Sequence, residues 1–375
     1  MTTMTLADLG ATVVKVERPD GGDETRAWGP PWTESSSSYF EAANRSKLSL
    51  ALDLKTPSDL ELARELAKRA DIVVENFRVG TLARFGLGFD DVQRENPSVV
   101  YCSITGYGSG AGASLPGYDF IVQAIGGLMS ITGDGNGEPH KAGVALVDVL
   151  TAKDATIGIL AALRARESSG RGQHVEVNLL STLLASLANQ ASGYLTTGES
   201  PARMGNRHPS IAPYETLRCR DGLLAVACGN DGQFRRLTMA LGNPDVATDP
   251  RFATNGVRVA NRIAMVDILE AALAHEDAET WERAFIAADV PAGRVGNIAS
   301  GFERADALGL MPSIDVGTDN PRQVAHPIRY SGMMPRKPAP PPRLGEHDGP
   351  VRSWLAEGES TLAMLVDNVK KAGDR

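Results

Sequence analysis

Apolar positions along this chain recur with two different spacings. Short runs rich in β-branched residues read as strands: residues 12–17 (TVVKVE), 48–52, 71–76 (DIVVEN) and 98–105 (SVVYCSIT). Between them the spacing changes. Leu60, Leu62, Ala63, Leu66 and Ala67 fall on one face of a helix over residues 56–70, with Pro57 at an early position where its missing N–H costs nothing. Residues 81–85 look helical. A strand-like apolar run over 143–148 leads into a helix over 151–166, a turn at 168–172, a strand at 174–177 and a helix over 179–194. Strands alternating with helices predict an α/β domain with a largely parallel sheet, whose ligands bind beyond the carboxyl ends of the strands.

The composition shifts at Thr196. Residues 198–213 hold three prolines and two glycines, so they read as a linker. A strand at 222–228 and helices at 233–241, 259–274 and 278–288 then define a smaller domain. The expected organisation is a large domain over 1–195, a linker over 196–213, a small α+β domain over 214–310 and a return segment over 311–375. That last segment carries the proline run 338–342, read as a surface connection, and ends in helices around 351–371.

Charge and composition narrow the function. An apolar fraction of 42% in 375 residues describes a globular protein of about two domains. A net charge of -8 argues against nucleic acid as partner. No run of about 18 apolar residues predicts a membrane span, and no basic-then-apolar leader is read. Cys102, Cys219 and Cys228 are widely spaced without a CxxC, so reduced thiols in a cytoplasmic protein are expected. The six histidines show no HxxxH or HxH spacing, so no metal site is expected.

The string GYGSGAG at 106–112 invites a dinucleotide reading. No helix opens directly on these glycines, and no acidic residue follows at the end of a second strand, so the fingerprint is incomplete. Lys15, Arg18, Arg45, Lys47 and Arg84 read, taken alone, as solvated surface charges. Asn76 and Phe77 read as a turn and a packing residue, and Tyr118 as a buried tyrosine. Asp148 reads either as a helix N-cap or as a carboxylate in a field that favours its ionised form. An ionised carboxylate is able to attack an acyl carbon.

Taken in order, these segments resemble the class III CoA-transferases, the group of formyl-CoA transferase and carnitine CoA-transferase. The resemblance rests on LADLGATVVKVERP at 6–19, NRSKLSL at 44–50, DLKTP at 53–57 and ENF at 75–77. It continues through PGYD at 116–119 with Gln123 and Ala124, GGLM at 126–129, Asp148, GRGQ at 170–173 and Gly205-Asn206. IAPY at 211–214, Asp221-Gly222, GNDGQ at 229–233 and LGEH at 344–347 complete it. It implies a Rossmann-like large domain with a smaller domain, in an interlocked homodimer. It also implies that Asp148 accepts the acyl group, that Tyr118 lies against CoA and the thioester, and that Arg18, Asn76, Phe77 and Arg84 hold the nucleotide of CoA. Gly229 and Gly232 would belong to a mobile glycine loop over the active site, supplying N–H donors to the oxyanion. Coenzyme A would be a substrate, with no permanently bound cofactor and with a small carboxylic acid as the second substrate.

Two departures bear on this reading. Met1 lies five residues before Leu6, where members normally carry a further strand and turn. A fragment, a misplaced start and an inactive CoA-binding relative are the open readings. Pro116 stands where some members place a lysine. The related α-methylacyl-CoA racemases usually carry histidine at the position of Tyr118, and tyrosine, with a pKa of about 10, suits a proton relay poorly. Transfer is therefore expected over racemisation. The segment 204–214 and the glycine loop look more like members that use dicarboxylates such as succinyl-CoA, while the actual donor and acceptor are not legible.

Overall fold

A computed structural model describes residues 1–317, 320–333, 335–357 and 364–366. In chain order the first elements are α1 (Thr2–Asp8), β1 (Val13–Glu17), α2 (Ser38–Asn44), β2 (Lys47–Ala51), α3 (Pro57–Arg69), β3 (Ile72–Glu75), α4 (Phe89–Glu95), β4 (Val100–Thr105) and α5 (Asp119–Ile125). They are followed by α6 (Leu128–Ile131), α7 (Leu146–Ser169), β5 (His174–Asn178), α8 (Leu179–Ser186) and α9 (Ala188–Thr197). Next come β6 (Tyr214–Arg218), β7 (Leu223–Ala227), α10 (Asp231–Ala240), α11 (Asn255–Ala260), α12 (Arg262–Leu273), α13 (Ala278–Ala287), β8 (Ala292–Arg294) and α14 (Ile298–Ala307). The last are β9 (Ser313–Ile314), β10 (Gln323–Val324) and α15 (Asp348–Ala356). The chain divides into two units: residues 1–126, 143–191 and 310–375 form the first, and 127–142 with 192–309 the second.

The first unit is mixed α/β with parallel strands. β1 pairs with β2, and β3, β4 and β5 form a second parallel sheet with β4 in the middle. Strand β4 explains why its sequence is apolar without alternation. Val100 and Cys102 pack with Leu6 of α1 and with Ala155, Ile159 and Ala162 of α7. Tyr101, and Val99 just before the strand, pack in a separate cluster with α3, α4 and α15. A strand buried on both faces has no polar side to show. Gly172 is required where the chain passes this strand, because a Cβ there would lie 1.8 Å from the Val99 carbonyl oxygen.

The return segment is tied to β2 and α1 by main-chain bonds. Ser46 N–H donates to the Ala339 carbonyl, His347 N–H to the Ser49 carbonyl and Arg336 N–H to the Asp8 carbonyl, while Ala339 N–H donates to the Ser46 hydroxyl. This explains the NRSK and LGEH motifs, which lie far apart in sequence and meet at one strand.

The second unit is built on the antiparallel order β6–β7–β8. Glu215 and Leu217 alternate inward from β6, and Leu224 and Val226 from β7. Phe234, Leu237, Met265, Leu269 and Phe285 from three helices close the core over them.

Several elements differ from the sequence reading. The run over 143–148 is no strand, because α7 already begins at Leu146. The helix expected over 179–194 is two helices, broken at Ala188, whose φ of 46° is left-handed. Residues 81–85 hold a three-residue 3₁₀ turn, Ala83–Phe85. The helix expected over 259–274 is interrupted at Asn261. Of the helices expected around 351–371, α15 ends at Ala356, and residues 358–363 and 367–371 lie outside those described. Among the described residues no helix is long and apolar enough to cross a membrane.

Two of the expected surface charges are interior. Arg45 forms a forked pair with Asp8 at 2.9 and 2.6 Å, with both side chains buried, and its third direction reaches the Val324 carbonyl at 2.8 Å. Lys47 is buried and donates to Asn44 at 2.8 Å. Burial, then the charge of Lys15, brings the Lys47 pKa down to about 7. Arg45→Met leaves the buried Asp8 carboxylate without its guanidinium, facing His326 Nδ1 at 3.5 Å, and should cost roughly 3–5 kcal/mol in urea denaturation. The double variant Asp8→Leu/Arg45→Met should recover most of that loss. An equal loss in both variants would show that packing, rather than the stranded charge, carries the effect.

Candidate active site

Helix α7 begins without a cap from its own chain segment. Its N-cap residue, Ala145, has no side chain able to accept a bond. The missing acceptor comes from α5. Asp119 Oδ1 accepts from the N–H of Val147 at 2.7 Å and from that of Asp148 at 3.2 Å. Its other oxygen accepts from Gln123 Nε2, one helical turn on, at 2.7 Å. Gln123 is fully buried. The PGYD…Q spacing thus has a physical reason: Asp and Gln at i and i+4 share a helix face, and together they anchor the start of α7.

Asp148 consequently sits in the first turn of α7, not at its N-cap. The sequence reading placed it in a field favouring ionisation, and the structure reverses this. Burial, and then the nearby charge of Asp119, raise its pKa to about 6 from the usual 3.8. Beside this burial, the N–H groups of Val147 and Asp148 donate to Asp119, so this end of the helix serves the neighbouring carboxylate. Asp148 stays open to solvent on one side.

Tyr118 is the N-cap residue of α5 and is 62% exposed, not buried. Its place is fixed from below by the glycines of the preceding loop. A Cβ on Gly117 would lie 2.5 Å from the Gly106 Cα, and one on Gly106 would lie 2.7 Å from the Gly117 Cα. These glycines allow one end of the loop to close on the other. Their packing against each other accounts for them without a phosphate.

Sequence reasoning missed Tyr39. Ser37 caps α2 by accepting from Phe40 N–H, which sets Tyr39 in the first turn, where its ring meets Trp28 edge-on at 5.2 Å. Burial, then the charges of Asp148 and Asp119, raise the Tyr39 pKa, so its hydroxyl shares their surroundings. Nothing local in the sequence links residue 39 to residue 148. Asp119 and Gln123 stood only as motif matches, although their i, i+4 spacing on a helix was a readable signal.

The remaining candidates are exposed. Arg18 follows β1, and Asn76 and Phe77 follow β3, all at carboxyl ends of parallel strands. Arg84 lies on the 3₁₀ turn beyond them. In the second unit the segment 229–233 is not an open loop. Asn230 caps α10 by accepting from Gln233 N–H, and Gly232 lies in the first helical turn. Gly229 N–H donates to Gln233 Oε1 at 2.8 Å, so in this state it is engaged.

The first unit thus presents an exposed tyrosine and an exposed aspartate of raised pKa on a parallel α/β scaffold. The chain belongs to CoA-transferase family III, which matches residues 1–348. It is 44% identical over 367 residues to a succinate–glutarate CoA-transferase of Agrobacterium fabrum, covering 95% of this chain and 92% of that protein. It is 40% identical over 349 residues to the mouse succinyl-CoA:glutarate CoA-transferase, covering 92% and 80%. The crystal structure of a CAIB/BAIF family protein from Brucella suis superposes with a TM-score of 0.85 at 42% identity, covering 94% of each chain.

The raised pKa has a stability consequence with a definite sign. The folded-state value, about 6, lies above the unfolded value of 3.8, so ionising Asp148 costs folding free energy. That cost is absent below about pH 4 and complete once the pH has risen past about 6. Asp148→Asn should therefore melt higher than the natural protein near neutral pH, with the gap mostly closed by about pH 4. A gap independent of pH would contradict the raised pKa.

Proposed function

We propose that this CoA-transferase moves CoA from a dicarboxylyl-CoA donor of the succinyl type to a dicarboxylic acid acceptor such as glutarate, through covalent intermediates on Asp148. The observation that carries the mechanism is the placement of Asp148: held in the first turn of α7 by the bond from its N–H to Asp119, and solvent-facing. The printed activities of the Agrobacterium and mouse relatives support the choice of acids.

The Asp148 carboxylate attacks the thioester carbonyl, expelling CoA thiolate and forming a mixed anhydride. The thiolate attacks the aspartyl carbonyl of the anhydride, giving an aspartyl-CoA thioester and releasing the donor acid. The acceptor carboxylate attacks that thioester, forming a second anhydride and freeing the thiolate again. Attack of the thiolate on the acceptor's acyl carbon gives the new acyl-CoA and restores Asp148. No net proton is consumed. A pKa of about 6 leaves the carboxylate ionised at neutral pH while keeping it more basic, and so more nucleophilic, than an ordinary aspartate.

In this reading Arg18, Asn76, Phe77 and Arg84 hold the nucleotide of CoA on a Rossmann-like domain, at the strand ends where such sheets take ligands. Tyr118 lies along the thioester. Gly229 and Gly232 belong to the turn that covers the site and excludes water, whose attack would waste the anhydride. Gly229 N–H reaches an oxyanion once Gln233 releases it. We read the protein as an interlocked homodimer. The aliphatic surface of the first unit supports this: Ile157 and Leu160 of α7, Ile121 and Ile125 of α5 and Leu184 of α8 are all exposed in a single chain. The three free cysteines fit a cytoplasmic setting.

Asp148→Ala should abolish succinyl-CoA:glutarate exchange while calorimetry still detects free CoA binding. Turnover retained in that variant would exclude Asp148 as nucleophile. Asp119→Asn, which keeps an acceptor for α7 but removes a charge, should shift the acid limb of the transfer profile below its expected midpoint near 6. An unmoved limb would separate Asp119 from the titration of Asp148.

A further inference from the structure

Arg258 is the largest fully buried side chain among the described residues. An unhydrated guanidinium is stable only when its donors meet acceptors in its own plane. Arg258 Nε donates to the Ala212 carbonyl at 2.7 Å and one terminal nitrogen to the Phe252 carbonyl at 2.9 Å. The other reaches Asp231 Oδ1 at 2.7 Å, and the group lies 4.4 Å over the Phe234 ring. Asp231 is the first residue of α10, between Gly229 and Gly232.

Two neighbours extend the arrangement: Asn255, on α11 with Arg258, and Arg262, the first residue of α12. Asn255 Oδ1 accepts from Ala212 N–H at 3.1 Å, and its amide donates to the Ser210 carbonyl at 2.8 Å. Arg262 donates to the carbonyls of His208 and Ile211 at 2.6 and 2.9 Å, and to buried Glu215 at 2.8 Å. The three side chains therefore grip the main chain of residues 208–212. Of the three, only Arg258 also reaches into the glycine turn. Cys228 N–H, at the entrance to that turn, donates to the Pro213 carbonyl at 2.8 Å.

We propose that Arg258 is a positioning residue that locks the glycine turn 229–233 to the 208–213 segment, so that the two move as one body. It touches no reacting atom. Its effect falls on the partition of the covalent intermediate: a turn that wanders from its seat admits water, and transfer gives way to hydrolysis. This consequence rests on the role proposed above for the turn.

Asp231 is the accessible handle, since its side chain is 43% exposed and its replacement leaves no interior cavity. Asp231→Asn removes the charge that holds the guanidinium, and Asp231→Glu keeps it. Two measurements on the full chain separate the possibilities. In hydrogen exchange, Asp231→Asn should lose protection at 229–233 and at 208–214 together, with Asp231→Glu close to the natural protein. With succinyl-CoA and glutarate, well below the melting temperature, hydrolysis relative to transfer should rise roughly tenfold in Asp231→Asn and recover in Asp231→Glu. Loosening confined to 229–233, or an unchanged ratio beside a lowered melting temperature, would overturn the proposal and leave Arg258 a stabilising residue only. If the natural protein transfers nothing between these acids, the reading of the substrates fails, and the exchange measurement alone decides the coupling.

Discussion

One carboxylate organises the candidate site, and it is Asp119 rather than Asp148. Asp119 accepts two N–H groups from α7 and one from buried Gln123. Those bonds decide where α7 starts, and so where Asp148 stands. They also decide its electrostatics, because the same oxygen that takes the helix N–H groups places a negative charge beside Asp148. One residue thereby sets the position of Asp148 and adds to the effect of burial on its basicity, which is why neither follows from Asp148 and its own segment alone.

The two units handle buried charge in a similar way. In the first, Arg45 grips Asp8 and a carbonyl of the return segment. In the second, Arg258 and Arg262 grip carbonyls of 208–212 and the acids Asp231 and Glu215. In each case a planar guanidinium satisfies main-chain carbonyls, and in the second unit those of 208–212 belong to neither sheet nor helix. Irregular segments can then be as well fixed as regular ones, which matters where function is carried by turns.

Much of the fold was legible because its signals are local. The β-branched runs became parallel strands, and unbroken apolarity in 98–105 reflected burial on both faces. The order of motifs pointed to Asp148 and Tyr118. Illegible features were those whose cause lies elsewhere in the chain. Helix α7 starts early because a residue of α5 caps it. Arg45 and Lys47 look like surface charges until Asp8, Asn44 and the return segment surround them. Tyr39 joins Asp148 only through the folded chain. The helix read from 233 starts at Asp231, within the glycine segment, because Asn230 caps it.

The closure of residues 336–348 onto α1 and β2 has a consequence for how the chain assembles. Ser49 finds a partner in Gly345, 296 residues further along, and in His347, and Ala51 finds one in Asp348, 297 residues further along. The first unit therefore has long sequence separations built into its foundation, a topology that delays its completion. During synthesis on the ribosome its two parallel sheets must wait, with apolar surface uncovered, while the intervening unit emerges and is free to condense around its own core. Chaperone demand should therefore concentrate on the first unit, in the interval before its last segment arrives.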